Sequence, residues 1–228
     1  MSDAAAGRVA ALIPAAGSGT RLGSDIPKAF VLLGGISLLT RSALAMSQVA
    51  DVIVVAAPQG WVEEAIKHLA VVDCEVHVVV GGNDRQNSVA AALRVVPPDV
   101  TVVLVHDAAR PLVPLRVSQE VVAGVRNGAL GVVPVLPVTD TVKTVDTQNQ
   151  VLATIPRATL RLTQTPQGFT RQILDHVYAD PTHTASDDAG LLEASGLQVI
   201  CVDGDERSRK ITTSGDFEYA LHLLEAEV

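Results

Sequence analysis

The stretch PAAGSGTRLGSDIPKAF, residues 14–30, packs glycines, an arginine and a lysine into one turn near the start of the chain. Gly17 and Gly19 let backbone N–H groups approach a ligand closely and form an anion-binding concavity. Arg21 adds a planar fork suited to phosphate, and Lys28, its approach stiffened by Pro27, adds a point charge. Three kinds of anion contact in one loop suit a polyphosphate better than a single carboxylate. The plain alternative is two ordinary surface cations. Two familiar nucleotide patterns are missing. The dinucleotide fingerprint needs a glycine where Leu22 stands, and an acid roughly 20 residues on, where the chain reads GISLLT. The Gly-Lys-Ser/Thr of a P-loop is also lacking.

Three later stretches carry related chemistry. GGNDRQNSV, residues 81–89, is a second glycine turn entering a helix, with Arg85 and Ser88 near its start. HDAARP, residues 106–111, offers Asp107 for a ribose hydroxyl or a metal ion and Arg110 as a further cation; a turn cap and a surface charge are the alternatives. SRKITTSGDFEYAL places Lys210 just before a helix that Thr213 or Ser214 caps. No Ser-His-Asp or Cys-His set appears. His106 reads as structural rather than as a base, and the other histidines lack metal-ligand spacing.

These loops need elements to hold them. Nearly continuous apolar runs, rich in valine, predict strands at 9–14, 51–57, 75–80, 101–106, 131–136 and 198–202. Amphipathic periodicity predicts helices at 37–48, 59–70, 86–95, 114–127, 171–178, 187–194 and 215–225. The alternation means an α/β fold, an open parallel sheet with right-handed crossovers whose ligand sits at the carboxyl ends of the strands. The chemical loops all follow such ends. Residues 139–166 break the rhythm: β-branched and polar residues alternate around DTQNQ, the pattern of a protruding β-hairpin arm. A two-stranded excursion is marginal alone, so it needs a partner. That is the same arm of a second subunit or, alternatively, its own domain.

The bulk numbers narrow the function classes. With 228 residues, 48% hydrophobic and 18% charged, the chain reads as one domain, residues 1–228, with a substantial core. A net charge of -8 argues against nucleic acid or an anionic membrane as partner. Cys74 and Cys201 sit in separate strand-like runs and read as small buried hydrophobes, pointing to the cytoplasm. RVAALIPAAG is too short and too soon broken by Pro14 for a signal peptide, and no run approaches the length of a membrane span.

The motifs PAAGSGTRLGSDIPKAF, GGNDRQNSV, HDAARP, DTVK, TQTPQGF and KIT stand in this order, and over essentially its full length the chain resembles the 2-C-methyl-D-erythritol 4-phosphate cytidylyltransferase family of the non-mevalonate isoprenoid pathway. The resemblance implies a homodimer of Rossmann-like, doubly wound subunits with a mostly parallel sheet, joined through the arm. It implies transfer of CMP from CTP to methylerythritol phosphate, releasing pyrophosphate, with Mg2+ held mainly by the CTP phosphates. By motif, Ala15, Ala16, Gly17 and Gly19 would line the triphosphate and cytidine, and Arg21 and Lys28 would flank the α-phosphate as catalytic cations. Gly82, Asn83 and Ser88, helped by Asp107 and Ala108, would contact cytosine and ribose. Thr141, Arg157, Thr165 and Lys210, with Asp107 and Arg110, would hold the sugar phosphate, Thr141 and Arg157 serving the neighbouring subunit.

Some positions depart from the family pattern. Asn83 stands where the family often has Asp, and SRK stands for the late NIK. SDDA replaces TDDA; here Ser186 is read as a helix cap, with Asp187 and Asp188 favouring the helix's positive end. Some members carry a fused cyclodiphosphate synthase domain, which a chain ending at Val228 is not expected to have. The rival readings are a cytidylyltransferase for another polyol phosphate such as ribitol 5-phosphate, a catalytically silent nucleotide-binding module, and a NAD-dependent oxidoreductase, the last weakened by Leu22.

Overall fold

The structure is a computed structural model in which residues 7–17, 26–180 and 184–226 are described. The first half runs β1 (Arg8–Pro14), a 3-10 turn (Lys28–Phe30), β2 (Leu32–Leu33), β3 (Ile36–Ser37), α1 (Leu38–Ser47), β4 (Val52–Ala57), α2 (Val62–Leu69), β5 (Glu75–Val80), α3 (Arg85–Leu93), β6 (Val100–Val105) and α4 (Leu115–Arg126). The second runs β7 (Gly131–Pro137), β8 (Val142–Val145), β9 (Val151–Ile155), β10 (Arg161–Thr163), β11 (Gln167–Thr170), α5 (Arg171–Ala179), α6 (Asp188–Ala194), β12 (Val199–Asp203) and α7 (Ser214–Glu225). Each expected strand and helix is present, with ends shifted by a few residues at most.

The main sheet has the order β10-β7-β11-β6-β1-β4-β5, with β12 parallel to β7. Its centre, β6-β1-β4-β5, is parallel throughout. Burial explains the uninterrupted apolar runs. Val9, Ala11 and Ile13 of β1 join one core cluster, and Ala10 and Leu12 join another. Strands β4 and β6 divide in the same way. Helices α1, α2 and α4 supply Met46, Leu69 and Val121 to the first cluster; α3, α5 and α6 supply Val89, Leu174 and Leu192 to the second. With both faces covered, β1 and β4 are apolar almost throughout, whereas β5 at the sheet's edge carries Glu75 and His77.

The mostly parallel sheet stands as expected, and three details are corrected. First, one strand is missing from the sequence reading: β11 lies antiparallel between β6 and β7, which makes that end of the sheet mixed. It has only four residues and contains Gly168, whose absent side chain leaves room for Val121, since a Cβ would fall 2.5 Å from that residue's Cγ1. So short a glycine-bearing strand carries no period to read. Second, the stretch 139–166 is not all arm, because β10 returns to pair with β7; only β8 and β9 form a separate two-stranded hairpin. Third, Cys74 is half-buried and Cys201 is exposed, so neither is a core residue.

Candidate active site

A cavity of about 520 Å³ opens at the carboxyl ends of the central strands, among Ala15–Gly17 after β1, Gly82–Arg85 after β5, Asp107–Ala109 after β6, and Lys28, Lys210 and Thr212. The strands dictate this convergence. Past its last strand residue each chain still pairs once with its neighbour: Ala15 N donates to Ala56 O, Gly81 N to Ala57 O and His106 N to Leu12 O. The loops therefore leave the sheet side by side.

The second glycine turn is wound tightly on the start of α3. Asp84 caps that helix, its carboxylate accepting from Asn87 N at 2.7 Å. Ser88 Oγ donates to Asp84 O at 2.7 Å and accepts from Gly82 N at 3.1 Å. A Cβ on Gly82 would lie 2.3 Å from Asn87 Cβ, so the turn closes only with glycine there. Ser88 is 1% exposed and its hydroxyl is spent on the turn.

Asp107 is the electrostatic centre. Its carboxylate lies 2.8 Å from Lys210 Nζ, 3.1 Å from Arg85 Nε and 3.7 Å from Arg110 Nε. Burial alone would raise this carboxyl; Arg85, Lys210 and Arg110 hold it well below the usual carboxylate range. Its backbone N–H donates to Thr165 Oγ1 at 3.0 Å, so Thr165 fixes the turn from behind. Thr165 also meets His106 Nδ1 at 3.1 Å, and His106 Nε2 lies 3.2 Å from Arg110 O. A carbonyl can only accept, so Nε2 carries the proton and Nδ1 accepts from the threonine hydroxyl. Burial pushes His106 down to about 4, the adjacent cations adding to this against Asp107. It is a neutral brace, as the sequence reading held.

Lys28 stands at the start of the 3-10 turn, with Pro27 before it, and its Nζ donates to Ile211 O at 2.5 Å. The first loop is thereby tied to the segment that carries Lys210. That segment is anchored by a capping box at the start of α7: Thr213 Oγ1 accepts from Asp216 N, and Asp216 Oδ2 accepts from Thr213 N at 2.9 Å.

Of the expected site residues, Ala15, Ala16, Gly17, Lys28, Gly82, Asn83, Ser88, Asp107, Ala108 and Lys210 line this one cavity. Arg110 and Thr165 do not line it. Arg110 lies behind Asp107, donating from Nη1 to Ser208 O at 2.7 Å and from Nη2 to Thr163 O at 3.2 Å. Thr141 and Arg157 are exposed beside the hairpin, away from the cavity lining; Arg157 Nη1 donates to Thr139 O. Gly19 and Arg21 fall outside the described residues. The sequence reading passed over Arg85 as a site residue although it noted the residue; its position in the first turn of α3, one residue after the cap, was the available signal. Ser186 is not the cap of α6: Asp187 is, accepting from Gly190 N at 3.1 Å.

Among the described residues, no three His, Cys, Asp or Glu side chains form a cluster able to hold a metal ion. Of the acids on the cavity, Asp84 is committed to the α3 cap and Asp107 to three cations. The described side chains thus do not build a metal cage of their own. No helix among the described residues is long and apolar enough to cross a membrane.

Comparison with known proteins agrees over nearly the whole chain. The family model described as 2-C-methyl-D-erythritol 4-phosphate cytidylyltransferase matches residues 9–226. The enzyme of that name from Saccharopolyspora erythraea is 48% identical over 222 residues, covering 95% of this chain and 99% of the relative. The Rhodococcus jostii enzyme is 47% identical, covering 96% of each. The crystal structure of the Thermus thermophilus enzyme superposes with a TM-score of 0.80 at 34% identity, covering 96% of this chain and 99% of that one. The chain belongs to the 2-C-methyl-D-erythritol 4-phosphate cytidylyltransferase family, nucleotidyltransferases that move CMP from CTP to methylerythritol phosphate.

Proposed function

We propose that the cavity between Lys28, Lys210 and Asp107 is where CTP and 2-C-methyl-D-erythritol 4-phosphate react in this chain. The observation that supports this best is the meeting of two glycine turns, two lysines and the Asp107 carboxylate at a single strand-end cavity of small-molecule size. Ala15–Gly17, with Gly19, receive the triphosphate, and Arg21 and Lys28 face the α-phosphate. Gly82, Asn83 and Ala108 take the cytidine, and Ser88 holds the Gly82 turn in shape beneath it. Asp107 and Lys210 stand on the acceptor side, with Arg110 and Thr165 holding the Asp107 turn in place.

The reaction needs no protein nucleophile. A phosphate monoester has a second pKa of about 6 and arrives largely ionised at neutral pH. One of its oxygens attacks the α-phosphorus of CTP; the bond from that phosphorus to the bridging oxygen breaks, and pyrophosphate leaves with the electron pair. The difficulty is repulsion between two anions, so alignment and fixed positive charge provide the catalysis. A divalent cation, Mg2+, would enter on the triphosphate as part of the nucleotide substrate, since no side-chain cage awaits it among the described residues. Thr141 and Arg157 reach a cavity only if a second copy brings its hairpin there, and we assign them to the neighbouring subunit's acceptor in a homodimer. On this reading the chain is one domain with β8 and β9 as its dimer arm. Its two unpaired cysteines suit the cytoplasm.

The test is pyrophosphate release by purified protein with Mg2+, crossing CTP, ATP, UTP and GTP with methylerythritol phosphate and ribitol 5-phosphate. Release with CTP and methylerythritol phosphate alone is expected. Release with CTP and ribitol 5-phosphate instead would move the acceptor assignment while keeping the nucleotide site.

A further inference from the structure

The SDDA motif and Gln167 of the TPQ motif have no part in the site described above, yet they meet directly behind it. Gln167 Nε2 donates to Asp187 Oδ2 at 2.6 Å, and its Oε1 accepts from Ala189 N at 3.1 Å, which pins the start of α6 to β11. That places Asp188 with a side chain 0% exposed. Its Oδ2 lies 2.7 Å from Arg85 Nη1, and its Oδ1 accepts from the Tyr178 hydroxyl at 2.6 Å. Arg85 in turn donates from Nε to Asp107 Oδ1 at 3.1 Å. The fourth link is Lys210, 2.8 Å from the other Asp107 oxygen.

A buried carboxylate under a cavity wall is expensive unless it is paired, and burying it wholly for stability alone is a weak reason, since a hydrophobic replacement often serves as well. Here the pair has a direction. Burial opposes the charge on Arg85, and Asp188 and Asp107 more than offset that opposition, so the guanidinium stays charged. Burial and the neighbouring Asp188 push the Tyr178 hydroxyl far up, so it remains a donor. Arg85 Nη2 is buried without a hydrogen-bond partner among the described residues. The orientation of the fork therefore depends on the two carboxylates it joins.

We propose that Asp188, held by Tyr178, is a positioning residue: it aims Arg85, and through Arg85 it sets where the Asp107 carboxylate stands in the cavity. This rests on the site assignment made above. Without Asp188, Arg85 has Asp107 as its sole carboxylate among these and draws it away from Lys210.

A double-mutant cycle tests this. Asp188→Asn keeps size and shape and puts a neutral amide in place of the carboxyl, which burial pushes up against the pull of Arg85 and Tyr178. It is expected to lower kcat/KM for methylerythritol phosphate about tenfold to a hundredfold, and to change it less than about twofold in an Arg85→Gln background, the non-additivity of residues acting as one unit. A merely structural role would impose the same loss in both backgrounds. Equal losses, or wild-type kcat/KM in Asp188→Asn or in Arg85→Gln, would overturn the inference. Should Asp188→Asn fail to fold, Tyr178→Phe replaces it under the same criterion, with an expected loss of about threefold that vanishes beside Arg85→Gln. Lys28→Ala, assayed in parallel, separates the two readings. Wild-type turnover there sinks the site assignment; additive losses beside an inactive Lys28→Ala sink the positioning inference alone.

Discussion

At the scale of single residues, charge placement carries the function. Lys28 and Arg21 are assigned to the α-phosphate, so Lys28→Ala or Arg21→Ala should lower kcat by about 10²–10³, the size of one lost transition-state contact. Steady-state rates near wild type would remove that assignment. His106 gives a stability prediction instead. Its folded-state pKa, about 4, lies below the ordinary 6.5, so the unfolded chain takes up the proton first as pH falls. Its contribution is complete above pH 6.5 and is lost progressively toward pH 4. Between pH 7 and pH 4.5 the wild type should lose about 2–3 kcal/mol through this group. His106→Gln should lack that portion of the slope when urea midpoints are compared at the two pH values. Parallel slopes would mean that His106 is not held neutral.

At the scale of elements, caps and glycines decide where the loops stand. The capping box at the start of α7 follows immediately after the segment carrying Lys210 and Thr212. Thr213→Ala should reduce stability by about 1 kcal/mol in chemical denaturation. An unchanged midpoint would show that water replaces the hydroxyl without loss. Much at this scale was legible beforehand, because caps and helix faces are local: Thr213 stood among the expected caps, and each helix was visible from its period. What escaped has a physical reason. Strand β11 is too short to show alternation, and the difference between Ser186 and Asp187 as cap is one residue in a run where both side chains suit the role.

At the scale of the molecule, the hairpin is the open feature. Val145, Val151 and Leu152 of β8 and β9 are 49%, 61% and 66% exposed, apolar side chains that the proposed dimer would cover. Leu152→Glu should shift a dimer toward monomer in sedimentation. On the proposed assignment of Thr141 and Arg157 to the neighbouring subunit, it should also raise KM for the acceptor. A variant that stays dimeric would place the interface elsewhere.

The sequence by itself determined the alternation of strands and helices, the parallel sheet's centre and the loops that bear the chemistry. Those are set by local periodicity, by glycine and proline, and by the need of a doubly covered strand to be apolar throughout. Only the tertiary structure decided which of those residues line the cavity and which bond to one another. Ser88, Thr165 and Arg110 carry polar groups that suit a substrate, but their bonds run to Gly82, Asp107, Thr163 and Ser208. The chain from Tyr178 through Asp188 and Arg85 to Asp107 joins positions far apart in sequence, and no local pattern encodes it. Buried polar partners are chosen by where the packed elements leave them, and that is a property of the whole fold.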